Sequence, residues 1–300
     1  MEKDIEVMLR IEARTGTHGP RVFRRLAGFF LLLGVGACGI LGPDDSDSGV
    51  IGPGDSPEPG DVKVLFIGAS YVAAWDLPWL FDTLAYEAGK QVWAAGRVQP
   101  GFYLDFFAQD AVTAAAIQDQ DWDFVIVSGG CQTAAYPDTH HELTPNSGYH
   151  PVYPSLATLK QAILENHPQT VMIYMMPWAF EDGLLWVQGE TDTYADMQLR
   201  IRENTVRWAD SLDITLAPVG MAWNEIMKGD PPQHYLFTSD WNHPSRRGSY
   251  LTAVTLFATV FKENAEGNSF HWVLESEEAE TFQRVGSRTV LDSLALWNIR

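Results

Sequence analysis

A chain of 300 residues and 33.5 kDa is long enough for one large domain or two small ones. With 46% hydrophobic and 20% charged residues its composition is globular, which excludes a wholly disordered, collagen-like or coiled-coil protein. Acidic residues outnumber basic ones 39 to 20, for a net charge of -19, so nucleic acid and anionic lipid surfaces would be repelled by the folded part.

In chain order, Arg21, Arg24 and Arg25 precede an uncharged run over 26–41. Its 16 residues fall short of the roughly eighteen expected of a membrane-spanning helix, and the pattern reads as a signal peptide. The run contains Val35-Gly36-Ala37-Cys38, which resembles a bacterial lipobox, where the cysteine is lipidated and becomes the mature N-terminus. The resemblance implies that residues 1–37 are removed. It also implies an extracytoplasmic protein held to a bacterial membrane, at the outer membrane or cell surface, by a lipid on Cys38. An ordinary signal peptide or N-terminal anchor is the alternative. The long stretch before Leu26 suggests a start downstream of Met1, at Met8. From 39 to 61, 18 of 23 residues are Gly, Pro, Ser or Asp, too little apolar surface to offset ordering, so 38–61 is expected to be a disordered tether. With Cys38 lipidated, Cys131 has no disulfide partner, and it is either a buried small hydrophobe or a reactive thiol.

The remaining residues, 62–300, are expected to form one domain. Short, continuously apolar runs predict strands at 62–67, 91–95, 124–128, 171–176 and 214–219, which is how strands covered on both faces read. Between and after them, helical patterns predict helices at 78–88, 104–118, 155–166, 192–212, 245–262 and 275–285. Alternating strands and helices imply parallel strands joined by right-handed crossovers, hence a three-layer α/β/α sandwich on a five-stranded parallel sheet. Ligands of such sheets bind beyond the carboxyl ends of the strands, which directs attention to the residues that follow each strand.

After the first strand, Gly68-Ala69-Ser70-Tyr71 lets the chain turn sharply and presents a serine hydroxyl at the sheet edge. After the fifth comes Asp240-Trp241-Asn242-His243-Pro244. A hydrolytic serine needs a base to take its proton and a carboxylate to hold the imidazole tautomer, and an Asp three residues before a His on one turn can supply both. Taken singly, the first pattern is also turn chemistry and the second also a cap beside a solvated histidine. They point to catalysis because the fold can bring the two segments together.

Val64-Leu65-Phe66-Ile67-Gly68-Ala69-Ser70-Tyr71 and Asp240-x-x-His243-Pro244 resemble the first and last conserved blocks of the SGNH, or GDSL-like, hydrolases, over about 62–263. Trp122-Asp123-Phe124-Val125-Ile126-Val127, Ala217-Pro218-Val219-Gly220-Met221-Ala222-Trp223 and His243-Pro244-Ser245-x-x-Gly248-Ser249-Tyr250-Leu251 are similar to an uncharacterised bacterial subfamily of it. The resemblance implies a flavodoxin-like sheet and ester hydrolysis with no metal or other cofactor. Ser70 would be the nucleophile, His243 the general base and Asp240 its orienting partner. It also implies an oxyanion hole from the Ser70 and Gly101 amides plus a third donor. The family's asparagine after the third strand is missing, since that strand runs into Ser128-Gly129-Gly130-Cys131-Gln132. Side-chain donation from Ser128 or Gln132, or backbone donation from Gly129 or Gly130, are the candidates. Trp186-Val187-Gln188-Gly189-Glu190-Thr191-Asp192 resembles a segment of sialate O-acetylesterase-like members but follows the fourth strand here. It is either a helix cap or a substrate-facing loop led by Gln188.

Trp178 and Trp241 are further candidates for substrate contact, and core packing accounts for at least half of the eleven tryptophans. His140-His141-Glu142 lacks an evident third ligand and reads as a solvated loop, so no metal is expected. The function expected from these readings is hydrolysis of an acyl ester, acetyl foremost, on a small-molecule or polysaccharide carbohydrate. The alternative is a glycan-binding surface lipoprotein on a degenerate hydrolase fold.

Overall fold

A computed structural model describes residues 50–51, 56–136, 150–184, 192–229 and 232–300. The elements below belong to one compact unit, Ser48–Gly52 with Pro57–Arg300. Five parallel strands, β2 (Val62–Gly68), β3 (Val92–Val98), β4 (Phe124–Ser128), β5 (Val171–Met175) and β6 (Thr215–Ala217), run in the order β3-β2-β4-β5-β6. The interior strand β2 carries Val64, Leu65, Phe66 and Ile67, all at most 1% exposed, because both of its faces are covered. Two residues of the expected tether also enter the sheet. Val50–Ile51 (β1) pairs antiparallel with Arg97 and Gly96 at the β3 edge.

Among the described residues ten α-helices accompany the strands: α1 (Ser70–Ala73), α2 (Leu77–Glu87), α3 (Leu104–Gln109), α4 (Ala111–Gln118), α5 (Cys131–Ala135), α6 (Val152–Asn166), α7 (Tyr194–Leu212), α8 (Val219–Ile226), α9 (Arg246–Phe261) and α10 (Ser276–Leu291). Right-handed crossovers put α2, α9 and α10, which pack together, on one face, and α3, α4, α6 and α7 on the other. The helix α9 is buried all round. Its three buried threonines are satisfied within the helix, since Thr252, Thr255 and Thr259 each donate at 2.8 Å to the carbonyl four residues earlier.

The helix expected over 275–285 runs on to Leu291, short helices at Ser70–Ala73, Cys131–Ala135 and Val219–Ile226 were not expected, and two further corrections bear on the sheet. The single helix expected over 104–118 is two, broken at Asp110, whose backbone is extended (φ -85°, ψ 128°). Its carboxylate accepts from the Thr113 amide at 2.8 Å, capping α4, and from Arg97 Nη2 at 3.0 Å. Arg97 is only 2% exposed, so the break gives a buried cation its counter-charge, and it also lets β3 continue three residues beyond the expected end. At the other side of the sheet, the strand expected over 214–219 stops at Ala217, because Pro218 has no N–H for the ladder and starts α8 instead.

Candidate active site

The carboxyl end of β2 is tightly enclosed. A Cβ on Gly68 would lie 2.7 Å from Val72 Cγ2 and 2.9 Å from Ser128 Cβ, which is why the strand ends on glycine. The chain turns through Ala69 directly into α1, leaving Ser70 half-buried at the sheet edge.

Opposite it, residues 236–245 form a closed loop. The Ser245 amide donates to the Leu236 carbonyl at 2.8 Å, and that of Thr238 to the His243 carbonyl at 2.9 Å. Asp240 sits in this loop, and its Oδ1 accepts from the Thr238 hydroxyl (2.7 Å) and the amides of His243 (2.9 Å) and Asn242 (3.1 Å). These bonds orient Oδ2 to accept from His243 Nδ1 at 2.6 Å. A proton held on Nδ1 leaves Nε2 bare, and Nε2 accepts from Ser70 Oγ at 2.8 Å. Ser70, His243 and Asp240 thus form one hydrogen-bonded chain between residues 173 positions apart. Desolvation pushes the Asp240 carboxyl up. The His243 amide, the Thr238 hydroxyl, the His243 ring and the Asn242 amide outweigh it and hold the carboxyl well below the usual carboxylate range.

Behind this chain lies a second contact that the sequence reading missed. Tyr71, next to Ser70, donates its hydroxyl to Asn242 Oδ1, next to His243, and Cys131 Sγ lies 3.0 Å from the same hydroxyl. Cys131 is therefore the buried thiol of the two alternatives, fully enclosed, with burial pushing it up to about 12. Burial, and then the neighbouring Cys131, likewise raise the Tyr71 hydroxyl well above its ordinary value. Both groups stay neutral around pH 7 and act as fixed packing and hydrogen-bonding groups behind the base.

Trp178, a candidate for substrate contact, is instead structural. It is 0% exposed, stacks on Trp223 at 3.9 Å with the rings 3° from parallel, and donates its indole N–H to the Asn242 carbonyl at 2.9 Å. The ring forms the floor under the His243 loop. Trp178→Ala is accordingly expected to lose about 3–5 kcal/mol of stability, read by calorimetry as a Tm fall of roughly 10 °C for a domain of this size. An unchanged Tm with a raised KM would return the residue to the substrate's side. Trp241, by contrast, is 59% exposed.

Gly101 follows Pro100 at the end of β3 with φ +85°, the conformation the third residue of a type II turn requires, and its backbone is exposed. An open cleft of about 570 Å³ begins there and is lined by Phe102, Tyr103, Asp105, Phe106 and His150. His150 stacks on Tyr103 at 3.8 Å and holds Asp105 at 2.9 Å, a pairing with no local signal in the sequence. Among the candidates for the third oxyanion donor, Ser128 is only 3% exposed, with its Cβ packed against Gly68. Gly130 and Gln132 are half-buried, and the Gln132 amide donates to the Tyr103 hydroxyl at 2.5 Å. Gln188, Cys38 and His140-His141-Glu142 lie outside the described residues. Among those described, no group of three His, Cys, Asp or Glu side chains is placed to hold a metal, and no helix is long and apolar enough to cross a membrane.

Among the solved structures that share this fold are two with TM-scores above 0.5. A DUF4886 family protein from Bacteroides uniformis superposes with a TM-score of 0.63 at 17% identity, covering 77% of this chain and 95% of its own. A protein assigned as an SGNH hydrolase, from Slackia heliotrinireducens, superposes with a TM-score of 0.51 at 23% identity, covering 66% of this chain and 97% of its own. The likeness is one of fold. The α/β architecture expected from the sequence, with its five-stranded parallel sheet, is the one these proteins have. No protein-family model and no curated protein sequence matches the chain.

Proposed function

We propose that the protein is a serine esterase that removes a short acyl group, acetyl foremost, from a carbohydrate, working outside the cytoplasm on a lipid anchor at Cys38. The observation that carries the esterase reading is the unbroken chain Ser70 Oγ, His243 Nε2, His243 Nδ1, Asp240 Oδ2, with links of 2.8 and 2.6 Å. As the Ser70 oxygen attacks the ester carbonyl, its proton passes to His243 Nε2, and Asp240 stabilises the imidazolium that forms. The tetrahedral intermediate places its negative oxygen toward the Ser70 and Gly101 amides, with Gly130 or Gln132 as third donor. Collapse breaks the bond to the alcohol oxygen, which takes the proton from His243. Water, activated by the same imidazole, then releases the acid from the acyl-serine.

The carbohydrate part rests on the exposed aromatic residue beside the base and on the resemblance in sequence. The anchor rests on residues 21–38 of the sequence, and Gln188 is proposed as a substrate contact on the same footing. Hydrolysis of ethyl acetate in the presence of EDTA tests the reading. Turnover is expected at a rate the chelator does not change. Loss on chelation would point to a metal-bound hydroxide, and no turnover at all to the glycan-binding alternative, which the missing asparagine after β4 favours.

A further inference from the structure

Positive φ disfavours any residue with a Cβ, and where it occurs outside glycine it needs a local reason. Among the described residues, four of the seven non-glycine cases lie at helix ends. Asp76 caps α2, and Asp213, Lys262 and Asn298 terminate α7, α9 and a final 3-10 turn, Leu294–Trp297. Trp75 and Trp272 face each other's rings at 6.2 Å, and Trp75 also donates to the Pro244 carbonyl at 2.9 Å beneath the Arg246 guanidinium. Trp241, at φ +61°, is the remaining case.

Its backbone has a reason for the conformation and its side chain has none in the fold. The Trp241 amide donates to the Thr238 carbonyl at 3.2 Å, and its own carbonyl accepts from the Glu181 amide at 3.1 Å. That reversal lets Asp240 Oδ1 collect both the Asn242 and His243 amides. Glycine or asparagine would adopt it with less strain. Instead the position carries the largest side chain available, with the residue 59% exposed and its indole without a ring, cation or hydrogen-bond partner among the described residues, two positions from His243. Strain retained beside a reaction centre without a packing gain is a functional signature.

We propose that Trp241 is the platform for the alcohol side of the ester, and that the group it receives is a neutral pyranose ring laid with its C–H face on the indole. A flat, exposed indole suits a ring, and the chain's net charge of -19 disfavours an anionic sugar. This inference rests on the esterase reading above and specifies its substrate.

The test compares kcat/KM for a fully acetylated methyl glucoside with that for ethyl acetate in wild type, Trp241→Gly and Trp241→Phe. The glucoside-to-ethyl-acetate ratio is expected to fall about tenfold in Trp241→Gly, through KM. Trp241→Phe should recover most of it, and the Tm of Trp241→Gly should equal or exceed that of wild type because the strain is gone. An unchanged ratio overturns the proposal. So does a Tm lowered by several degrees, which would make the indole a structural prop, or a phenylalanine that recovers nothing. Absence of Ser70-dependent turnover of either ester in the wild type brings down the esterase reading itself, whereas an unchanged ratio with Ser70-dependent turnover intact removes only the role of Trp241.

Discussion

Ser70→Ala is expected to lower kcat for a short acyl ester by about 10⁶ if nucleophile and base act as one unit, as in the serine-protease template. The reason lies in the 2.8 Å bond between Ser70 Oγ and His243 Nε2. Without the imidazole the hydroxyl keeps its proton and is a poor nucleophile, and without the hydroxyl the imidazole has nothing to activate. His243→Ala should therefore cost about as much alone, and the double variant should be little worse than either single one. Summation of the two losses in the double variant would show that the residues act independently. The variants should fold normally, because Ser70 is only half-buried and the loop carrying His243 is held by Asp240, Thr238 and Trp178.

Asp240→Asn is expected to cost on the order of 10⁴ in kcat if its coupling resembles that template. An asparagine amide facing His243 Nδ1 donates where the carboxylate accepts. The ring proton then moves to Nε2, and the nitrogen facing Ser70 can no longer take the serine's proton. The substitution also carries a pH signature. The Asp240 carboxyl is held below its ordinary range, so its ionised form contributes stability that is fully present above the unfolded value of about 4 and is lost as pH falls through the lower folded value. The Tm difference between wild type and Asp240→Asn is expected to be largest near neutrality and to close below about pH 4. Half of the Asp240 side chain is exposed, so solvent screening keeps this difference small beside the catalytic loss. A gap that widens with acid would contradict the assignment.

Residues with a local signature were legible in the sequence. β4 lies where its run of apolar residues placed it, at Phe124–Ser128, because a strand buried on both faces needs little else to specify it. Ser70 and His243 were legible for a related reason, since each follows a strand end or precedes a helix that the pattern already located. Contacts made across the fold were not. The Tyr71 to Asn242 bond joins residues 171 positions apart, and nothing near either residue announces the other. Arg97 lay beyond the expected end of its strand at 95, and its neutralisation by the half-buried carboxylate of Asp110, thirteen residues on, shows only in the fold. Trp178 and Trp241 were equivalent candidates by residue type, and only burial separates the floor of the site from its exposed rim. One local signal was available and unused. Asp110, three residues before Thr113, is a capping pattern that marks the break between α3 and α4.

The central claim, that Ser70 is an activated nucleophile, is tested most directly by covalent labelling with a fluorophosphonate, read as the mass of the modified peptide. One label per chain is expected, on the peptide containing Ser70, abolished in Ser70→Ala and strongly slowed in His243→Ala. No label on the folded wild-type protein, or a label that persists on another residue in Ser70→Ala, would contradict it.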